Sequence, residues 1–222
     1  MLIDAEKQEL DELLQRLFGF HILQIGSVTH TNLLTKSKIS HRVIADLGVK
    51  DETSQPSVYA YGDALPIATD SVDVALLHHT LEFEKDPHSV LREVDRILIP
   101  DGHIVIVGFN PWSFWGMRRV LRRRRCSPPW CGRFFSLVRV RDWMALLGFD
   151  VIEVRHRFFR PPIKRAGLMR RLAFMDRVGQ RLCPHMAAVY IVVAKKRIST
   201  LTPIKPRWRP RRRVVSGVVE PT

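Results

Sequence analysis

Apolar residues run along this chain in short blocks and stripes that follow two periods. Between Asp4 and Phe18, Leu10, Leu13, Leu14 and Leu17 recur at helical spacing among acidic residues, and Gly19 ends the helix they predict. Ile22–Ile25 is a short, mostly apolar run closed by Gly26 and predicts a buried strand. Residues 27–40 are polar with scattered leucines and read as helix or loop. Arg42–Ala45 predicts a second strand ending at Asp46, Val58–Tyr61 a third, and Val74–Leu77 a fourth.

The clearest helix follows. Asp86 can cap it, Pro87 suits its first position, and Val90, Leu91, Val94, Ile97 and Leu98 form one apolar stripe. Pro100-Asp101-Gly102 predicts a turn, and His103–Phe109 a fifth strand, with the near-continuous apolar content of a strand buried on both faces. Trp143–Leu147 predicts a short helix stopped by Gly148, Asp150–His156 a sixth strand, Lys164–Leu182 an Arg-rich amphipathic helix, and Ala187–Ala194 a seventh strand. From residue 198 onward Pro and Arg dominate without periodicity, which predicts a disordered basic tail over 198–222 behind a single domain over 1–197.

Strands alternating with helices give an α/β fold with a mostly parallel sheet. Ligands of such sheets bind outside the carboxyl ends of the strands. The turns of interest therefore begin at Gly26, Asp46, Asp63 and His78.

One ordered set of residues resembles a known family. Gly62-Asp63-Ala64-Leu65-Pro66, Ser71-Val72-Asp73-Val74, Leu81-Glu82, Asp86-Pro87, Leu91-Arg92-Glu93 and Arg96-Ile97-Leu98-Ile99-Pro100-Asp101-Gly102 are similar to the class I S-adenosylmethionine-dependent methyltransferases, in the branch that includes small-molecule and quinone-type enzymes. The likeness is strong over residues 58–110 and holds in element order over about 20–195. It implies a Rossmann-like, doubly wound sheet of seven strands with the last antiparallel. It implies S-adenosyl-L-methionine as cofactor, contacted by a Gly-rich turn after the first strand, an acid after the second and an Asp after the third. The matching residues are Gly26, Asp46 and Asp63, with Ala64 beside the last. A carboxylate only accepts hydrogen bonds, so it can take both ribose hydroxyls, and Gly26 and Asp46 have the spacing of a nucleotide-binding βαβ unit. The chain departs from the family's acid-x-Gly-x-Gly-x-Gly pattern. Gln24 stands for the acid, and Val28 and His30 stand at the later glycine positions. A Cβ there hinders close approach of the backbone, so that loop must be shaped differently.

His78 and His79 close the fourth strand, where this fold places substrate chemistry, and a His there can act as a general base near neutral pH. Glu82 is spaced to orient either ring on a helix, and equally suits a surface charge. Asp73 is expected to hold backbone rather than ligand. Trp112, Phe114 and Trp115 suggest a substrate lid or an apolar docking surface, or simply a cover for the sheet end. Cys126 and Cys131 lack nearby His partners and are expected to be free thiols rather than metal ligands.

Charge sharpens the picture. Residues 1–100 carry 9 Lys and Arg against 16 Asp and Glu, and residues 101–222 carry 27 against 6. The second half therefore suits an anionic partner, either nucleic acid or an anionic membrane surface. The 45% hydrophobic content excludes wholesale disorder, and no run of about 18 apolar residues predicts a spanning helix. With no signal-like start and three cysteines, a cytoplasmic location is expected, peripheral at the membrane if the basic half docks there. Methyl transfer to a small-molecule or membrane-associated acceptor is the expected activity. Two alternatives stay open: a nucleic-acid-binding or RNA-modifying protein, and a degenerate methyltransferase fold serving as an interaction module.

Overall fold

The computed structural model describes residues 2–26, 32–46, 57–121, 130–162, 171–172 and 174–197. The basic tail over 198–222, and with it the boundary expected at 197, lies outside the described residues, as do Val28 and His30. Six strands form one sheet: β1 (His21–Ile25), β2 (His41–Ala45), β3 (Val72–His78), β4 (Leu98–Phe109), β5 (Phe149–Arg157) and β6 (Val189–Lys196). Their order is β2-β1-β3-β4-β6-β5, and β6 runs antiparallel to both neighbours. The doubly wound α/β fold with an antiparallel last strand is as expected, but among the described residues the sheet has six strands rather than seven.

The missing strand is Val58–Tyr61. Its backbone meets the sheet edge only where Val58 bridges Ala45, and Tyr59 and Tyr61 are exposed. An edge segment that pairs with its neighbour at a single bridge stays a loop. The turn expected at Pro100-Asp101-Gly102 lies instead inside β4, as an irregularity in the pairing with β3. Asp101 there takes a positive φ of 65°.

The apolar runs split cleanly between the two faces of the sheet. On β3, Ala75 and Leu77 pack with Val90, Leu91, Val94 and Ile97 of α3 (Pro87–Ile97). Val74 and Leu76 pack on the other face with Leu10, Leu13 and Leu14 of α1 (Leu2–Leu14). The alternation along β4 is the same. A sheet covered on both faces explains why these strands read as continuous apolar blocks. The Asp86 carboxylate caps α3 by accepting from His88 N–H at 3.0 Å.

Four further α-helices, α2 (Thr80–Phe83), α4 (Phe114–Leu121), α5 (Leu137–Leu146) and α6 (Phe174–Leu182), and a 3-10 turn at Pro184–Met186 complete the elements of the described residues. No described helix is long and apolar enough to cross a membrane. Asp73 acts on backbone as expected, but on a distant segment. Its carboxylate accepts from the N–H groups of Phe20 and His21 at 2.9 and 2.8 Å and so seats the start of β1. Cys131 takes part in a disulfide, which overturns the free-thiol expectation for it, while Cys183 is free and exposed.

Candidate functional site

The carboxyl ends of β1, β2 and β3 lie side by side, because these strands are parallel neighbours. Gly26 closes β1 with φ +62°, and its N–H donates to Ala45 carbonyl at 2.9 Å. A side chain at Gly26 would need the left-handed region and would meet the Thr80 hydroxyl at 3.1 Å. That hydroxyl donates to the Ile25 carbonyl at 2.5 Å, which ties the exit of β1 to the start of α2. Asp46 closes β2 half-buried, and its N–H donates to Val58 carbonyl at 3.2 Å. Asp63 and Ala64 are exposed in the following turn, where Ala64 N–H donates to Tyr61 carbonyl. Beside Asp63 stands Glu84, whose carboxyl is raised by burial and by the charge of Asp63.

At the end of β3 the backbone makes an abrupt turn. His79 takes a φ of 54°, a conformation that costs a non-glycine residue of order 1 kcal/mol or more and persists only when neighbours enforce it. Here they do. Its N–H donates to Val107 carbonyl at 3.0 Å, and its ring stacks on Phe109 with centroids 3.9 Å apart. His78 sits beside it, ring centroids 4.6 Å apart. Both rings are buried, and both meet a residue that the sequence did not single out, Glu6 of α1. The two Glu6 carboxylate oxygens lie 3.1 Å from His78 Nε2 and 3.2 Å from His79 Nε2. Glu82 Oε1 lies 3.4 Å from His79 Nδ1 and accepts from Phe109 N–H at 2.6 Å.

The protonation states follow from these contacts. Burial alone would raise Glu6, but the charge on His79 and hydrogen bonds from both imidazoles hold it at about 2, so it is ionised. Burial pulls His79 down, yet two carboxylates, one at each ring nitrogen, push it up to about 9, so it is an imidazolium at neutral pH. His78 is lowered, by burial first and by the charge of His79 as well, against its hydrogen bond with Glu6. A neutral His78 facing an ionised carboxylate through Nε2 must carry its proton there. Its lone pair then sits on Nδ1, a buried atom with no hydrogen-bond partner.

The donor atoms of Glu6, His78 and His79 lie within 4.8 Å of one another and could enclose a metal ion. The metal would have to displace the proton on His79 Nε2, against its raised pKa. Glu82 takes the orienting role weighed for it rather than that of a surface charge. The structure thus joins His78, His79 and Glu82 into one cluster and sets Gly26 next to it through Thr80. Asp46 and Asp63 stay on the neighbouring edge of the sheet. Glu6 escaped the sequence because it lies within a run of acids, Asp4 to Glu12, that reads as a solvated helix face.

The residues present fit a nucleoside-bearing cofactor. A backbone turn in the left-handed region closes β1, an acceptor-only carboxylate closes β2, and an exposed carboxylate follows.

Residues 25–106 match the model of a methyltransferase domain family. The chain is 35% identical over 198 residues to the uncharacterized protein YafS of Escherichia coli, covering 89% of this chain and 77% of that protein. It is 32% identical over 105 residues to the uncharacterized protein Mb2026c of Mycobacterium bovis, a match spanning 46% of this chain and 36% of that protein. Among solved structures, a Thermotoga maritima methyltransferase described as a possible histamine N-methyltransferase superposes with a TM-score of 0.65 at 20% identity, over 87% of this chain and 90% of that one. An S-adenosylmethionine-dependent methyltransferase of Mesorhizobium loti gives 0.58 at 19%, over 86% and 98%.

Proposed function

The chain belongs to the class I S-adenosylmethionine-dependent methyltransferases, and we propose that it methylates an acceptor that must give up a proton, a hydroxyl or an acidic ring carbon. S-adenosylmethionine, the family's cofactor, supplies when bound an electrophilic methyl on a sulfonium leaving group. The turn at Gly26 would hold its methionine part, the Asp46 carboxylate its ribose hydroxyls, and the Asp63–Ala64 turn its adenine. What remains for the protein is to align donor and acceptor and to receive the acceptor's proton.

The observation that carries this reading is the unpartnered Nδ1 of a neutral His78 at the carboxyl end of β3. Glu6 fixes the tautomer that leaves this lone pair available. His78 would take the acceptor's proton at Nδ1 and so leave the acceptor's oxygen or carbon ready for the methyl group. His79 already holds its protons and serves instead as a fixed positive charge between two carboxylates. The rings lie under α1 and Phe109, so a proton held at His78 Nδ1 is kept away from water.

Calorimetry with S-adenosylhomocysteine tests the binding half. The full chain is expected to bind in the micromolar range, Asp46→Ala to lose affinity by about tenfold or more as two charge-assisted hydrogen bonds go, and His78→Asn to bind as the unmodified chain does. No binding to the unmodified chain overturns the reading and favours the interaction-module alternative.

A further inference from the structure

α4 is inverted relative to an ordinary surface helix. Its arginines turn inward: Arg118 donates to Pro162 carbonyl at 2.5 Å and lies over the Trp130 ring, and Arg119 lies over Phe134. Apart from Trp115, its large apolar residues turn outward. Met117 is 60% exposed and Leu121 82%, four positions apart and therefore on one side, with Trp112 exposed just ahead. α6 has no fully buried residue and presents Phe174, Val178 and Leu182 as an exposed stripe at helical spacing. The two helices belong to one surface, since Phe114 of α4 and the apolar side of α6 line the same groove of about 340 Å³, together with Phe159 and Met186.

We propose that this face docks onto an anionic lipid bilayer. Charge complementarity selects that occupant. Exposed Arg177 and Arg181 stand beside the apolar stripe on α6 itself, and Arg171, also exposed, precedes that helix in the sequence. The one acidic side chain in α4 or α6, Asp176, is already engaged by Arg160 at 2.7 Å and by Phe159 N–H, which also fixes the apolar stripe outward. In the sequence, Arg122–Arg125 follow Leu121. Apolar side chains at the centre and arginines at the margin are what an interfacial segment needs. The first enter the acyl boundary, and each arginine near an anionic surface strengthens binding roughly fivefold. The face lies one aromatic stack from the candidate site. Trp115 of α4 stands over Phe109, which stacks on His79, so an amphiphilic acceptor held in the bilayer is presented to the cluster. That last step rests on the methyl-transfer reading, whereas docking itself does not.

The test is co-sedimentation of the full chain with vesicles. Vesicles of equal phosphatidylglycerol and phosphatidylcholine are expected to retain it at least about tenfold better than phosphatidylcholine alone, with retention falling as salt rises. Met117→Glu/Leu121→Glu and Val178→Glu/Leu182→Glu, both changing exposed positions and checked for folding by circular dichroism, are expected to lose retention. Neither is expected to change S-adenosylhomocysteine binding, so failure of docking and failure of the methyltransferase reading give separate results. Retention surviving both double variants overturns the proposal. So does equal retention by phosphatidylcholine, capture by a single-stranded oligoribonucleotide without vesicle binding, or a dimer in analytical ultracentrifugation that Val178→Glu/Leu182→Glu dissolves.

Discussion

Glu6 holds two imidazoles with one carboxylate, and the two respond in opposite ways. His79 gains a charge partner at each nitrogen and is raised to about 9 from 6.5, whereas His78, lowered mainly by burial, stays neutral. A raised pKa means that the folded state keeps a proton that the unfolded chain releases. The stabilisation from His79 is therefore complete below about 6.5 and is lost as pH rises to 9. Glu6 works in the other direction: its contribution is complete above 4.5 and is lost as pH falls toward 2. The lowered pKa of His78 likewise favours the folded state above 6.5 and costs stability on acidification below it. Urea unfolding of the full chain should show stability declining by a few kcal/mol between pH 6.5 and 9. His79→Gln should be less stable at pH 6.5 and flat over that interval. A slope that survives His79→Gln would place the titrating group elsewhere. Glu6→Gln should flatten it too, because the amide no longer favours the imidazolium. It should also lower methyl transfer while leaving S-adenosylhomocysteine affinity unchanged, a split that a merely structural residue would not give.

Strands β1, β3 and β4 pair through their backbones, and Asp73 shows how much one side chain can add to that pairing. Gly19 and Asp73 approach so closely that a Cβ on Gly19 would lie 2.4 Å from that of Asp73. Asp73→Ala is expected to cost about 2 kcal/mol by stranding two backbone N–H donors, and Gly19→Ala about 1–3 kcal/mol by overpacking. Both should appear as lower urea midpoints at unchanged slope. At this scale the sequence was most informative where burial on both faces writes itself as an unbroken apolar run, as in Val74–Leu77 and His103–Phe109, or where a cap has a dedicated chemistry, as at Asp86-Pro87. It misled at Val58–Tyr61, where β-branched and aromatic residues promise a strand but the sheet edge offers a single bridge. It was silent on Glu6. Nothing local separates that carboxylate from its neighbours on α1, and only the packing of α1 beneath the sheet brings it to His78, 72 residues away. The candidate site was thus half legible: the strand ends are fixed by fold class, but the partners that set protonation come from other elements.

The division of charge along the chain survives folding only in part. Glu9 of α1 pairs with Arg155 at 3.0 Å and with Arg157 at 2.5 Å, so the first half neutralises arginines of the second where α1 meets β5. Lys196 on β6 is drawn to Asp70 at 3.3 Å and to the carbonyls of Asp95 and Leu98. The basic excess is left on other surfaces, among them the α4–α6 face. Gly26, Asp46 and Asp63, by contrast, lie in the acidic half, between Glu6 and His78 in sequence. Two kinds of binding are therefore expected to answer salt differently. S-adenosylhomocysteine carries no net charge near neutral pH and is held by hydrogen bonds to backbone and carboxylate. Its calorimetric affinity should change by less than about twofold as the screening length drops from about 10 Å at 0.1 M to about 3 Å at 1 M. Retention on anionic vesicles depends on exposed arginines and should fall by more than about tenfold over the same range. If cofactor affinity collapsed with salt in parallel with vesicle retention, the two surfaces would be one, and the nucleoside would be bound by the basic half rather than at the ends of β1 and β2.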